Sequence, residues 1–256
     1  SKINWNFDNS FQNLPKNMLS MQLPCKVTSP EIVIINYKLS DELNINLSNM
    51  DKNFLASAFS GNIIPENTET CAMAYAGHQF GHFNVLGDGR ALLLGEHIND
   101  KKQRFDIQFK GSGKTEFSRN GDGKAALGPM LREYIISEAM HYLNIPTTRS
   151  LAVVKTGEKV LREKELIGSI LTRVASSHIR VGSFQYFAYK KDIQNLKTLI
   201  NYTIKRHYSD IKDDEDKYIN LIDKLMEKQI NLVVNWMRVG FIHGVMNTDN
   251  MSLSGE

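Results

Sequence analysis

The chain predicts an α+β fold: an antiparallel sheet carrying one inserted helix, followed by a helical segment. Three observations carry this expectation. Residues 86–110 and 150–175 alternate strand and turn patterns, a single long helical pattern lies between them, and beyond residue 190 the apolar period becomes helical. At 256 residues the chain is large enough for one large domain or two small ones and buries roughly 70% of its unfolded surface.

The elements follow in order. In residues 1–70 only SPEIVIINYKLS has the β-branched density of a strand bounded by turn formers. LGDGR opens a glycine turn, ALLLGEHI reads as a strand, INDKKQ as a hairpin loop and RFDIQFK as the returning strand. In that last strand Phe105, Ile107 and Phe109 share one face, with Asp106, Gln108 and Lys110 on the other. A polar, glycine-rich stretch, GSGKTEFSRNGDGK, leads into a helix with apolar positions Leu127, Leu131, Tyr134, Ile135 and Tyr142, stopped at Pro146. SLAVVKTGEKVLRE predicts a second hairpin turning at Thr156 and Gly157, and ELIGSILTRVA another strand. Two helices complete the pattern. One presents Leu196, Leu199, Ile200 and Thr203; the other presents Tyr218, Leu221, Ile222, Leu225, Ile230, Val233 and Met237, with an acidic first turn and Gly240 past its end. A strand-rich part bearing one helix, then a helical part, is the two-lobed layout of a protein kinase.

Composition narrows the function. Lys and Arg total 31 against 28 Asp and Glu, a net +3, too balanced for the phosphate-neutralising face of a sequence-independent nucleic-acid binder. Cys25 and Cys71 stand 46 residues apart with no CxxC pair, which excludes a disulfide framework and a cysteine-rich zinc site and suits a reducing compartment. The start of the sequence lacks signal-peptide order and no apolar run reaches the ~18 residues of a membrane span, so a cytoplasmic protein acting on neither nucleic acid nor membrane is expected.

Several motifs fail on inspection. KGSGKT lacks the Walker pattern's first glycine, because position 108 is Gln. GDGKAA satisfies a loose dinucleotide pattern, yet no strand runs directly into it. His78 and His82 have the spacing of two zinc ligands, but Gln79 stands where a zinc protease keeps its Glu, so structural histidines at a glycine turn are expected.

FIHGVMNTDN is more informative. His243, Gly244 and Asn250 keep the spacing of a kinase catalytic loop, in which an Asp meets the acceptor hydroxyl and an Asn holds magnesium. Val245 occupies the Asp position and cannot accept a proton, while a carboxylate reappears at Asp249. The loop is either inactive or has moved its base; a simple Asp-Asn turn explains the same string. Lys110 on a strand, followed by Glu133 on the inserted helix, matches the phosphate-positioning pair of kinases. Gly87, Gly89 and Arg90 offer main-chain amides and a charge for phosphate, and Arg173 and Arg180 offer guanidinium forks.

YAGHQFGHFNVLGDGRA, QFKGSGKTEFSRNGDGKAALGPMLREYIISEAM, IPTTRSLAVVKTGE, LTRVASSHIRVGSF and GFIHGVMNTDNMS together resemble the selenoprotein O family, kinase-like proteins regarded as protein adenylyltransferases. The match is dense from Tyr75 to Met251. The resemblance implies a nucleotide inverted relative to a kinase, so that AMP from ATP passes to Ser, Thr or Tyr hydroxyls of a protein. It implies that Gly87, Gly89, Arg90, Lys110, Asp122, Gly123, Arg173 and Arg180 bind ATP and that Glu133 orients Lys110. Asp249 is then the proton acceptor, and Asn250 a ligand of Mg2+, or of Mn2+ in its place.

The family's second metal-binding Asp lies in a DYGP-like segment that has no counterpart before Glu256, so a truncated chain of impaired activity is expected. Residues 1–70 are read as an extension packing on an N-lobe of residues 71–190, and residues 191–256 as the start of a helical C-lobe. Conventional phosphoryl transfer and a non-catalytic nucleotide-binding module are the competing readings.

Overall fold

A computed structural model describes residues 2–256. Nine antiparallel strands form one sheet: β1 (Leu19–Met21), β2 (Glu31–Ile35), β3 (Cys71–Gln79), β4 (His82–Gly87), β5 (Ala91–Ile98), β6 (Arg104–Lys110), β7 (Ala125–Ala126), β8 (Arg149–Leu161) and β9 (Glu165–Ala175). The order is β1-β3-β5-β6-β9-β8-β2, with β4 beside β3 and β7 beside β9. Six α-helices accompany it: α1 (Tyr37–Glu42), α2 (Lys52–Phe59), α3 (Leu127–Tyr142), α4 (Val181–Tyr189), α5 (Ile193–His207) and α6 (Lys217–Arg238). The mixed architecture and the large antiparallel sheet agree with the expected α+β class, and β5 and β6 fall where the pattern put them.

The alternation along β6 divides the molecule. Ile107 and Phe109 are fully buried in the largest apolar core, packed with Leu39, Leu43, Leu55 and Phe59 from the α1–α2 region. The opposite face was expected to be polar; it is polar and also buried, since Asp106 and Gln108 are shielded from solvent. Arg206 of α5 pairs with Asp106 at 2.8 Å, and Glu133 of α3 pairs with Lys110 at 2.8 Å. Charged partners make that burial tolerable.

Three expectations are corrected. Thr156 and Gly157 do not turn the chain: β8 runs through them as a bulge, its register passing from Lys155↔Ser169 to Lys159↔Ile167, and the turn comes at residues 162–164. Gly157, with φ +78°, serves a bulge as readily as a turn. On α3, Ile135 and Tyr142 face solvent, whereas Met130, Ser137 and Met140 are buried. This helix lies on the charged side of the sheet, so its inner stripe includes Glu133 and Ser137 and escapes an apolar period. On α6, Leu221 and Leu232 are buried, while Ile222, Ile230 and Met237 are exposed. Its acidic residues, Asp213 to Asp216, precede the first turn rather than occupy it, and Gly240 ends it with φ +75°.

Four strands were not anticipated. β3 is rich in Ala and Gly, β1 and β7 have three and two residues, and β4 carries His, Asn and Gly. No helix among the described residues is long and apolar enough to cross a membrane.

Candidate nucleotide site

Beside the hairpin of β3 and β4 opens a cleft of about 880 Å3, inside the ~300–1,000 Å3 span of small-molecule sites. Its floor comes from β6 and β9, which are directly paired: Lys110 ends β6, and Arg173 sits opposite Gln108 in the β6–β9 register. Glu133, two turns into α3, accepts from Lys110 Nζ at 2.8 Å and from Arg173 Nε at 2.5 Å, one carboxylate holding two cations. Burial pushes the Glu133 carboxyl up, but Arg173 and Lys110 outweigh it and hold it down at about 2. Burial and the neighbouring Arg173 lower the Lys110 ammonium to about 8, against the pull of Glu133.

Arg180 is the second anchor. It precedes α4, and its guanidinium lies 4.3 Å above the Tyr75 ring, 3.5 Å from Asp88 Oδ1 and within hydrogen-bond distance, 2.7 Å, of the Asp249 carbonyl oxygen. Asp88 is buried and accepts from the Met73 N–H at 3.0 Å; burial raises its carboxyl pKa despite Arg180.

The loop after α6 brings Asp249 and Asn250 to the same cleft in a single 3-10 turn, Thr248–Asn250. Asn247 Nδ2 donates to the His78 carbonyl at 2.9 Å, fastening that turn to β3. Close packing requires glycine beneath it: a Cβ on Gly77 would sit 2.3 Å from Asp249 Oδ1. That Oδ1 is buried against the strand and has no hydrogen-bond partner, an unusual state for a carboxylate oxygen. Val245, at the kinase Asp position, is exposed.

The glycine segments form the cleft's outer wall. Gly87, Gly89 and Arg90 line it, as do Asp122 and Gly123. Gly123 has φ +69°, and a Cβ there would overlap the Gly113 carbonyl, so no other residue fits between the two loops. Asp122 pairs with Arg162 at 2.8 Å, which holds its carboxyl at about 2. Every residue expected at the site therefore lines this cleft except Glu133, which stands behind it and grips Lys110 and Arg173.

Sequence reasoning missed Tyr75, Asp88 and Arg162. Asp88 had a signal, lying between the two glycines of GDG; Tyr75 and Arg162 had none, because their partners are distant in sequence.

His78 and His82 flank a two-residue turn, Phe80–Gly81 with φ +52° and +80°, on paired strands. Among the described residues no group of three or more His, Cys, Asp or Glu is placed to hold a metal. A kinase-type magnesium nonetheless needs only one or two side-chain oxygens beside the phosphates, and Asn250 next to Asp249 fits that demand. Six cations, Arg90, Lys110, Arg119, Arg162, Arg173 and Arg180, line the cleft against three carboxylates, Asp88, Asp122 and Asp249. The surplus suits a polyanion such as a triphosphate.

The family model described as "Protein adenylyltransferase SelO" matches residues 1–256. A protein of Pelagibacter ubique named "Protein nucleotidyltransferase YdiU" is 61% identical over 99% of this chain and 53% of its own length. Relatives of the same name from Bacillus cereus strain ATCC 10987 and Anoxybacillus flavithermus are 57% and 56% identical, over 100% and 99% of this chain and 52% and 53% of theirs. The chain thus spans about half the length of the curated relatives it matches. With a family match along its whole length and relatives above half identity, the chain belongs to the SelO protein adenylyltransferase family.

Proposed function

We propose that this chain carries the nucleotide-binding half of a protein adenylyltransferase that moves AMP from ATP to Ser, Thr or Tyr hydroxyls of proteins. The single observation that supports this most is the meeting of Lys110, Arg173 and Arg180 with Asp249 and Asn250 in one cleft. In this reading the sheet and α3 are the N-lobe of a two-lobed kinase-like protein, and residues 191–256 begin its C-lobe.

The geometry supports the following chemistry. Lys110, Arg173 and Arg180 bind the triphosphate, and their positions are set before the nucleotide arrives, by Glu133 for the first two and by Asp88, Tyr75 and the Asp249 carbonyl for the third. Preorganised cations stabilise charge that develops on a leaving pyrophosphate without reorganisation in the transition state. Asp249 takes the proton from the acceptor hydroxyl as the oxygen attacks the α-phosphorus. Asp249 lines the cleft beside Asn250, which supports that role. Gly87, Gly89 and the 121–123 segment bring backbone close to the nucleotide. Magnesium, or manganese, would be held by Asn250 with Asp249 beside it and would supply charge neutralisation to the phosphates.

The test uses the longer protein and ATP labelled at either the α or the γ phosphate. Adenylylation transfers label from the α position alone, and transfer from the γ position alone refutes it in favour of a conventional kinase pose. Saturable ATP binding with no transfer of either label leaves a non-catalytic nucleotide-binding module.

A further inference from the structure

The start of α4 lies against the Thr248–Asn250 turn, and a run of hydrogen bonds joins the two. The Val181 N–H donates to the Met251 carbonyl at 2.9 Å, and the Leu253 N–H to the Ile179 carbonyl at 3.0 Å. Arg180 donates to the Asp249 carbonyl at 2.7 Å. Gly182 makes this approach possible. A Cβ there would lie 2.0 Å from the Ala76 oxygen of β3 and 3.3 Å from the Asp249 Cα, so helix, strand and turn meet with no side chain between them.

These bonds hold residues 249–253, downstream of the turn's first residue. Upstream, among the described residues, two side-chain hydrogen bonds tie Asn247 and Thr248 to the rest of the protein. One runs from Asn247 Nδ2 to the His78 carbonyl at 2.9 Å; in the other the Thr248 hydroxyl donates to Gln185 Oε1 of α4. Within the turn the Asn250 N–H donates to the Asn247 carbonyl at 2.8 Å. Closing a single turn fixes several dihedrals for one hydrogen bond, so its shape depends on what anchors it. Neither Gln185 nor Thr248 lines the nucleotide cleft.

We infer that Gln185 is a positioning residue for the transfer of AMP: by holding the Thr248 hydroxyl it fixes the backbone immediately ahead of Asp249 and so aims that carboxylate at the acceptor hydroxyl. Arg180 stands on the same helix end, so one element sets both a phosphate anchor and the proton acceptor. Thr248 and Asp249 are consecutive, and a turn released at 248 carries the Asp249 side chain with it. Misplacing a reacting group by about 1 Å costs on the order of a hundredfold in rate. Nucleotide binding is spared, because Lys110, Arg173 and Arg180 keep Glu133 and Asp88 as partners.

This role rests on the adenylyltransferase reading of the cleft, and the experiment separates the two. In the longer protein, Gln185→Leu and Thr248→Val each remove one side of the bond. Kcat and KM for ATP are measured by AMP transfer, together with amide exchange in residues 245–252. Each variant is expected to lose about tenfold to a hundredfold in kcat, with KM for ATP within about threefold of the parent, and to exchange faster in 245–252. The double variant loses no more than the more damaged single variant, because either substitution alone breaks the bond. Thr248→Ser, which keeps the hydroxyl, recovers most of the rate. Additive losses in the double variant, a rise in KM that matches the fall in kcat, or unchanged exchange overturns the inference. A parent that transfers no AMP counts against the adenylyltransferase reading alone. Faster exchange in both variants then still supports Gln185 as the anchor of the turn, and unchanged exchange rejects it.

Discussion

Glu133 sets the charge of the cleft because a single carboxylate answers two cations at 2.8 and 2.5 Å. Lys110 keeps its proton only below about 8, since burial and Arg173 both disfavour the ammonium form. The sign is definite: as pH rises through that value the charge is lost, and phosphate binding weakens with it. ATP affinity measured by calorimetry is expected to fall roughly tenfold between pH 7 and pH 9, whereas a Lys110→Met variant, already weaker by about 10- to 100-fold for want of one charged hydrogen bond, shows no such fall. Glu133→Gln removes the charge that supports the ammonium, so its affinity declines at lower pH than in the parent. The Lys110–Glu133 pair was legible in the sequence, because a lysine ending an alternating strand and a glutamate two turns into the next helix have local patterns of their own. The bond from Glu133 to Arg173 and the stacking of Arg180 on Tyr75 were not, since partners 40 and 105 residues apart leave no periodic trace.

The elements divide in the same way. β5 and β6 announce themselves through dense apolar runs and alternation, but CAMAYAGHQ of β3 is built from small residues and reads as nothing in particular. Its smallness is its role. Gly77 lets the Thr248–Asn250 turn approach the sheet, and the approach brings Asp249 into the cleft. A methyl at position 77 would overlap the Asp249 side chain, and overpacking of this kind costs about 1–3 kcal/mol. In the longer protein, Gly77→Ala is expected to lower the rate of AMP transfer by tenfold or more while ATP affinity changes less than threefold. An equal loss in both would show that the substitution disturbs the sheet rather than the turn. α3 was recognisable as a helix, yet its inner stripe was misread, because a face that meets charges carries Glu and Ser where an apolar rule looks for Leu.

At the scale of the molecule, α6 stands out. Ile219, Ile222, Met226, Ile230, Val234 and Met237 recur at helical spacing and are all exposed, a contiguous apolar stripe on a 22-residue helix. Such stripes drive association in water. The 256-residue chain is expected to self-associate in light scattering at micromolar concentration, and Ile222→Glu with Met226→Glu to return it to a monomer of unchanged melting temperature; a parent that stays monomeric contradicts this. The sheet holds a different consequence. Both ends of its strand path, β1 and β2, come from residues 19–35, and β2 pairs with β8 across more than a hundred residues. On a ribosome adding roughly 5–20 residues per second, β2 therefore waits on the order of ten seconds for its neighbour to emerge. Through that interval Glu31–Ile35 is a bare, β-branched ribbon with no ladder to join, the kind of nascent segment that a chaperone must shield.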